Sequence, residues 1–302
     1  MNALLMYKLR TQTIRTASHV LESAGHTCTT QPFESASKTA DMLKESAYDL
    51  VVASEGAAFS GVPDTVRKVY LSSDFFCGER RLPKADSCLI AHDDLSFDFI
   101  THGARDTSVR VCGVPLRESY TRTHPRSECR RALGLSEHDP IFLMIGETLS
   151  QSVLKSARNA IRTICPQSQT ILLGTDEARR KNWMRIFSDD ANVFVSDLEM
   201  DLPLALSASD AVFTPAFPTY VCAGARQGKI VTLLHSTVSR ARKNASFLDA
   251  HGAAFCGKTA ADSVSYACRL LESDRLRRNM TDAQEKTILP DAEQRLIRAI
   301  EA

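Results

Sequence analysis

Residues 140–174, PIFLMIGETLSQSVLKSARNAIRTICPQSQTILLG, decide the fold class of this chain. Residues 141–145 and 170–173 are short apolar runs, which predict two buried strands. Residues 152–164 predict a helix between them, because apolar side chains recur there at helical spacing: Val153, Ala157, Ala160, Ile161 and Ile164. A helix between two wholly apolar strands is typical of a parallel sheet that helices cover on both faces.

The same alternation of strands and helices extends along the rest of the chain. Further strands are predicted at residues 2–7, 49–53, 68–71, 87–90, 109–112, 192–195, 211–214 and 230–234, and a further helix at residues 13–24. Residues 117–135 are polar and irregular apart from a short helix at 127–133 that ends at Gly134, so we predict a link between two domains there. Pro290 precedes a last helix at residues 292–300. The chain is therefore predicted to be a two-domain α/β protein.

Composition excludes several classes of function. The formal net charge of +1 argues against nucleic acid as a partner, since such proteins carry many phosphate-binding cations. No apolar run is long enough to span a bilayer, and the N-terminal run is too short for a signal peptide. The nine cysteines contain no C-x-x-C pair, which argues against a zinc site. We therefore expect a cytoplasmic protein with reduced, mostly buried cysteines and no metal.

Several segments, in order and spacing, resemble GT-B glycosyltransferases of the monogalactosyldiacylglycerol synthase and processive diacylglycerol glucosyltransferase type. RVCGVPLR (110–117), CRRALGL (129–135) and PIFLMIG (140–146) resemble the family's interdomain passage, roughly VTGIPVR, ARRELGL and PVVLVMG. LALSASDAVFT (204–214) and NASFLDAHGAA (244–254) continue the likeness toward the C-terminus.

The resemblance implies a GT-B-like α/β fold, with two Rossmann-like domains facing one another across a cleft and the N-terminal one shortened. Residues 1–120 would form the acceptor-side domain, 121–134 the linker and 135–290 the nucleotide-sugar-binding domain. Residues 291–302 would form a helix that packs back toward the N-terminal domain. The reaction implied is hexose transfer from a nucleotide sugar, UDP-linked, to a lipid acceptor, with no cofactor.

The motifs that bind the donor in this family are eroded here. Such enzymes hold the diphosphate on backbone N–H groups at helix starts. The family's glycine loop TKPGGLTVSEALAKG becomes TPAFPTYVCAGARQG (214–228), so the two glycines are Phe217 and Pro218, and the ribose-binding carboxylate is Ala223. The family's first loop becomes MYKLRTQT (6–13), without glycine or the expected histidine, and His19 lies within the next predicted helix.

The candidate donor-binding residues that remain are Gly146, Thr148, Thr219, Tyr220, Arg240 and Asn244. Gly146 and Thr148 belong to the loop GETLSQS (146–152), whose hydroxyls suit phosphate contact or helix capping equally. Arg240 belongs to a basic cluster with Arg242 and Lys243, which suits a phosphate, an anionic lipid head group or a solvated helix start. The sequence assigns no catalytic residue.

Two hypotheses about function follow. The first is a glycosyltransferase that moves a hexose from a UDP-linked donor to a lipid acceptor at the cytoplasmic membrane surface, with peripheral membrane contact. The second is a catalytically inactive GT-B scaffold that binds a nucleotide, a lipid or a protein partner. The eroded glycine loops favour the second hypothesis, and the co-linear resemblance favours the first.

Overall fold

The structure is a computed structural model that describes residues 1–7 and 12–302. Within these residues the chain forms two six-stranded sheets. The strands are β1 (Asn2–Tyr7), β2 (Thr27–Pro32), β3 (Leu50–Ala53), β4 (Arg67–Leu71), β5 (Ser87–Ile90), β6 (Val109–Val111), β7 (Ile141–Ile145), β8 (Gln169–Gly174), β9 (Val193–Asp197), β10 (Ala211–Thr214), β11 (Ile230–Leu233) and β12 (Phe255–Cys256).

Helices connect most of the consecutive strands, as the alternating pattern predicts. They are α1 (Gln12–Ser23), α2 (Ala36–Glu45), α3 (Ser96–Thr101), α4 (Glu118–Thr121), α5 (Arg126–Ala132), α6 (Gln151–Ile164), α7 (Glu177–Ile186), α8 (Leu198–Ala208), α9 (Pro218–Arg226), α10 (Ser239–Ala250), α11 (Ala260–Glu272), α12 (Asp274–Thr287) and α13 (Ala292–Glu301). None of the helices in residues 1–7 and 12–302 combines the length and the apolarity that crossing a membrane requires.

The first compact unit comprises residues 1–117 and 289–302. Its sheet is parallel, in the order β2-β1-β3-β4-β5-β6. Helices α1 and α13 bury apolar faces on this sheet, with Ile14 and Leu21 from α1 and Leu296 and Ile300 from α13. Arg67, on β4, donates to the carbonyls of the last turn of α13, at 2.6 Å from each of two oxygens. The last helix therefore belongs to the core of this unit.

The second unit comprises residues 118–288 and has a doubly wound sheet. All its strands are parallel, in the order β12-β11-β10-β7-β8-β9. The chain runs from β7 outward through β8 to β9, then returns to the other side of β7 and continues through β10, β11 and β12. This is the strand order of dinucleotide-binding Rossmann domains. The prediction that residues 141–145, 170–173, 192–195, 211–214 and 230–234 lie parallel in one sheet is confirmed.

A buried ionic network lies at the N-terminal ends of β7, β10 and β11, in the region expected to be a linker. Arg130, in α5, has no solvent exposure and pairs with Asp210 at 2.9 Å. Asp210 also accepts the N–H of Ile141, the first residue of β7, at 2.8 Å. Residues 121–134 thus contain a helix that contacts α8 and fixes the start of two strands.

Lys229 lies next to this network, and its titration should be visible in the stability of the protein. Its ammonium donates to the carbonyls of Ser207 and Ser209 at 3.3 and 2.9 Å. Burial lowers the pKa of Lys229 to about 8, against the opposing attraction of Asp210.

We expect stability to rise with pH between about 8 and 10.5 through this group. The unfolded chain keeps the Lys229 proton up to its ordinary pKa of 10.5, whereas the folded chain releases it near pH 8. The unfolded state therefore binds more protons in this window, which raises the free energy of unfolding by about 1–2 kcal/mol, allowing for partial solvent screening. Urea titrations at a series of pH values should show the free energy of unfolding of the wild type rising by this amount relative to that of Lys229→Met, because the two proteins share every other titrating group, including the buried cysteines. Parallel pH profiles for the two proteins would contradict the assignment.

The nine cysteines are all free thiols in this structure, and we expect most of them to resist modification. Six are buried and the other three, Cys28, Cys165 and Cys256, are partly buried. Burial raises the pKa of Cys28 to about 11 and that of Cys88 and Cys112 to about 12, which suppresses the reactive thiolate. Labelling without denaturant should therefore modify no more than the partly buried three. Rapid modification of six or more, or native disulfides in mass spectrometry, would contradict this.

Candidate functional site

The candidate site is the C-terminal edge of the second sheet around β7 and β10. The order of connection reverses between these strands, and open α/β sheets bind ligands in the crevice at such a point. Three loops meet this edge: residues 146–150 after β7, 215–217 after β10 and 234–238 after β11. Each of these loops leads into a helix, respectively α6, α9 and α10.

Thr148 has an unusual backbone conformation in the loop after β7. Its φ of 59° lies in the left-handed region, and it is the only residue besides glycine with a positive φ in the described part of the chain. A β-branched residue in this region costs on the order of 1–3 kcal/mol. Strain of this kind persists only where surrounding contacts hold it, and it is concentrated at functional sites.

The Thr148 hydroxyl contacts a second hydroxyl across the end of β10. Thr148 Oγ1 lies 2.9 Å from Ser236 Oγ, in the loop after β11. Ser236 Oγ also accepts the N–H of Val238 at 3.1 Å. One hydroxyl proton is used within the Thr148–Ser236 pair, whichever residue donates, so the pair retains one proton that can be donated to a ligand.

The start of α10 adjoins this hydroxyl pair and carries positive charge. The first backbone N–H groups of a helix have no partner within the helix, and Val238, at the N-cap, has no polar side-chain atom to cap them. Arg240 is the second residue of α10 and is partly exposed, and Arg242 is exposed. Helix N–H groups, a hydroxyl and a guanidinium together favour a bound phosphate.

The start of α9 is much poorer in hydrogen-bond donors. Pro218, its first residue, has no N–H, and the N–H of Phe217 donates to the Pro215 carbonyl at 2.6 Å. The Tyr220 N–H donates to the Phe217 carbonyl at 3.1 Å. The helix that would bind the diphosphate in the resembled family is therefore a weak anion site here, where Phe217 and Pro218 stand in place of that family's two glycines.

Three of the predicted donor-binding residues have side chains that are buried in the second unit. Thr219 and Tyr220 are buried in α9, and the Tyr220 ring packs edge-on against Phe217 with centroids 6.4 Å apart. Asn244 in α10 has no solvent exposure. Ala223, at the position of the family's ribose carboxylate, is also fully buried. These four side chains are therefore largely withdrawn from solvent in this structure.

Gly146 has a packing role that the sequence did not reveal. A Cβ on Gly146 would lie 2.5 Å from the indole of Trp183, and a Cβ on Gly174 would lie equally close. Trp183 is buried and lies across the ends of β7 and β8. Both glycines are thus explained by the space that this indole occupies.

Glu147 is held on the β8 side of the site. Its Oε1 accepts the N–H and the hydroxyl of Thr175 at 2.6 and 2.9 Å. The Glu147 carboxylate thus has hydrogen-bond donors of its own in the loop after β8. The first loop of the other unit, residues 6–13, includes Lys8, Leu9, Arg10 and Thr11, which lie outside the described residues, and His19 is exposed on α1.

Known structures share this architecture along the whole chain. MurG from Acinetobacter baumannii superposes with a TM-score of 0.70 at 13% identity, covering 99% of each chain. HepE from Anabaena in complex with UDP-glucose gives 0.67 at 15% identity, covering 100% of this chain and 99% of that one. UDP-GlcNAc 2-epimerase from Neisseria meningitidis, bound to UDP-GlcNAc, gives 0.67 at 13% identity and full coverage of both chains.

These similarities show that the chain has the GT-B fold, as the sequence resemblance implied. They do not distinguish the diacylglycerol glycosyltransferases from other proteins of this fold. No protein-family model and no curated protein matches the sequence.

Proposed function

We propose that the protein binds a UDP-linked sugar at the C-terminal edge of the second sheet and transfers the hexose to a lipid acceptor at the cytoplasmic membrane surface. The observation that carries the nucleotide-sugar site is the strained Thr148 backbone, whose hydroxyl meets Ser236 beside the start of α10. The structural neighbours that contain UDP or a UDP-sugar support this ligand class. The lipid acceptor is supported by the sequence resemblance.

The proposed donor site differs from that of the resembled family in which helix holds the diphosphate. Since Phe217 and Pro218 leave α9 poor in donors, the diphosphate binds the start of α10, where Arg240 supplies charge and the Thr148–Ser236 pair supplies a hydroxyl proton. Glycine would adopt the backbone conformation of Thr148 without strain, but it would lack the hydroxyl that contacts the ligand in this proposal.

A second candidate function is a GT-B scaffold that binds a ligand without transferring a sugar. Ala223 favours it, because an alanine has no carboxylate to hold ribose hydroxyls at the position where the resembled family has one. The burial of Asn244 favours it as well. The two functions differ in whether free UDP is released when an acceptor is present.

The experiment is isothermal titration with UDP, UDP-glucose, UDP-galactose and UDP-N-acetylglucosamine, followed by an assay of UDP release with diacylglycerol vesicles. Micromolar binding together with vesicle-dependent UDP release supports transfer. Binding without release supports the scaffold. Conversion of one UDP-sugar into another without UDP release would show epimerase chemistry, and millimolar or absent binding of all four ligands would contradict the donor site.

Thr148→Gly provides a matched variant for the same titration. Glycine removes the hydroxyl and adopts a φ of 59° without strain, so the variant should fold with little loss of stability. We expect it to bind UDP about tenfold more weakly, which corresponds to one lost charge-assisted hydrogen bond. Unchanged UDP affinity would mean that the Thr148–Ser236 contact only joins two loops.

A further inference from the structure

The first unit contains a cavity of about 450 Å³ that the proposed function does not use. It lies on the side of α13 that meets β5 and the edge strand β6. Its floor is apolar and includes Leu89, Cys112 and Ala299, all of them buried. The volume falls within the range of ordinary small-molecule pockets, roughly 300–1,000 Å³.

The side chains at the rim of this cavity carry three guanidinium groups and one carboxylate. The guanidinium groups belong to Arg110, Arg295 and Arg298, and the carboxylate to Asp291. Asp291 pairs with both arginines of α13, at 2.8 Å from Arg295 Nε and 3.4 Å from Arg298 Nη2. One negative charge is thus shared between two positive charges on the same helix.

Arg110 supplies the third positive charge from the facing edge strand. It is exposed, and it makes no hydrogen bond or ion pair with any residue in 1–7 or 12–302. The nearby Glu293 does not line the cavity, and its carboxylate accepts the N–H of Leu116 at 2.7 Å. The side chains that line the cavity therefore carry an excess of two positive charges, and the backbone carboxylate of Ala302, which also lines the cavity, lowers this excess to one.

We propose that this cavity binds a phosphate monoester whose ester group is small and apolar. A phosphate monoester carries between one and two negative charges near neutral pH, so the positively charged rim attracts it. Guanidinium groups bind phosphate oxygens through paired, charge-assisted hydrogen bonds. The apolar part of the ligand would cover Ala299 and the aliphatic stems of the rim arginines, and so remove their surface from water. This site is independent of the proposed UDP-sugar site, because all its residues belong to the first unit.

The test uses phenyl phosphate as the probe, titrated calorimetrically into the full chain near neutral pH. We expect it to bind about tenfold more tightly than inorganic phosphate, because only the ester covers Ala299 and the aliphatic stems of the rim arginines. Arg110→Gln and Arg298→Gln should each lower the affinity for phenyl phosphate about tenfold. Arg81→Gln is the matched control, since Arg81 is an exposed arginine of the same unit that does not line the cavity.

Arg110→Gln is the more informative of the two variants, because Arg110 has no hydrogen-bond or ion-pair partner in the described part of the chain. The melting temperature of this variant should therefore equal that of the wild type. Neutralising Arg240 and Arg242 should leave phenyl phosphate binding unchanged, which separates this proposal from the UDP-sugar site. Equal affinity for inorganic phosphate, absence of binding at millimolar concentration, or unchanged affinity in both cavity variants would overturn the assignment. Displacement of the probe by phosphatidylglycerol vesicles would also overturn it, in favour of a membrane head group.

Discussion

Replacing Arg130 by alanine is expected to lower the free energy of unfolding by about 3–5 kcal/mol, the largest effect of any single substitution proposed for this protein. The Arg130 guanidinium is fully buried, and its pKa is lowered by burial against the opposing attraction of Asp210. It donates to Asp210 and to four backbone carbonyls, those of Ser136, Glu137, Asp139 and Ala208. Removing it leaves the largely buried Asp210 with Arg126 as its remaining arginine partner, and it leaves several backbone carbonyls unsatisfied.

Urea denaturation followed by the fluorescence of Trp183 measures this loss directly. Trp183 is the only tryptophan and lies in the core of the second unit, so its emission reports the unfolding of that unit. Arg131→Ala is the matched control, because the neighbouring arginine is exposed and lies 3.7 Å from Glu137 at the surface. Equal urea midpoints for the two variants would show that the Arg130 network contributes no more than an ordinary surface pair.

Neutralising Arg240 and Arg242 to glutamine should weaken UDP binding by about 2 kcal/mol, or roughly thirtyfold. The expected effect is large because α9 offers few donors, so the charge at the start of α10 must stabilise the diphosphate. Calorimetric titration of UDP into the wild type and the double variant measures the difference.

The control for this prediction removes the same amount of charge elsewhere. Arg275 and Arg278 are exposed residues of α12, and their double replacement by glutamine lowers the net charge equally. We expect this control to retain wild-type affinity for UDP. If both double variants weaken UDP binding to the same extent, the loss of affinity is an effect of overall charge and does not locate a site at α10.

The fold was predictable where strands are buried on both faces. β7 and β10 are wholly buried, and their apolar residues marked both strands in the sequence. β2 was missed because it is a mostly exposed edge strand of polar residues, TCTTQP, and β12 because it contains only two residues. α5 was expected within a linker, since its polar sequence does not show that Arg130 is buried.

The candidate site was less predictable because it depends on backbone geometry. The sequence identified Thr148 and Arg240 as candidates, but it does not reveal the positive φ of Thr148 or the contact with Ser236. The sequence feature that could have indicated Ser236 as a site residue is its hydroxyl, two residues after the strand predicted at residues 230–234. The sequence does not reveal the packing role of Gly146, because the residue that fills the space beside it, Trp183, is distant in sequence.

The central claim is that the second sheet binds the diphosphate of a UDP-sugar at the start of α10. The most direct measurement is a crystal structure of the protein with UDP. The account predicts phosphate oxygens within hydrogen-bonding distance of the Thr148–Ser236 pair and of the first N–H groups of α10, with the Arg240 guanidinium on the same phosphates. A diphosphate bound at the start of α9 beside Phe217, or at the arginine-rimmed cavity of the first unit, would contradict it.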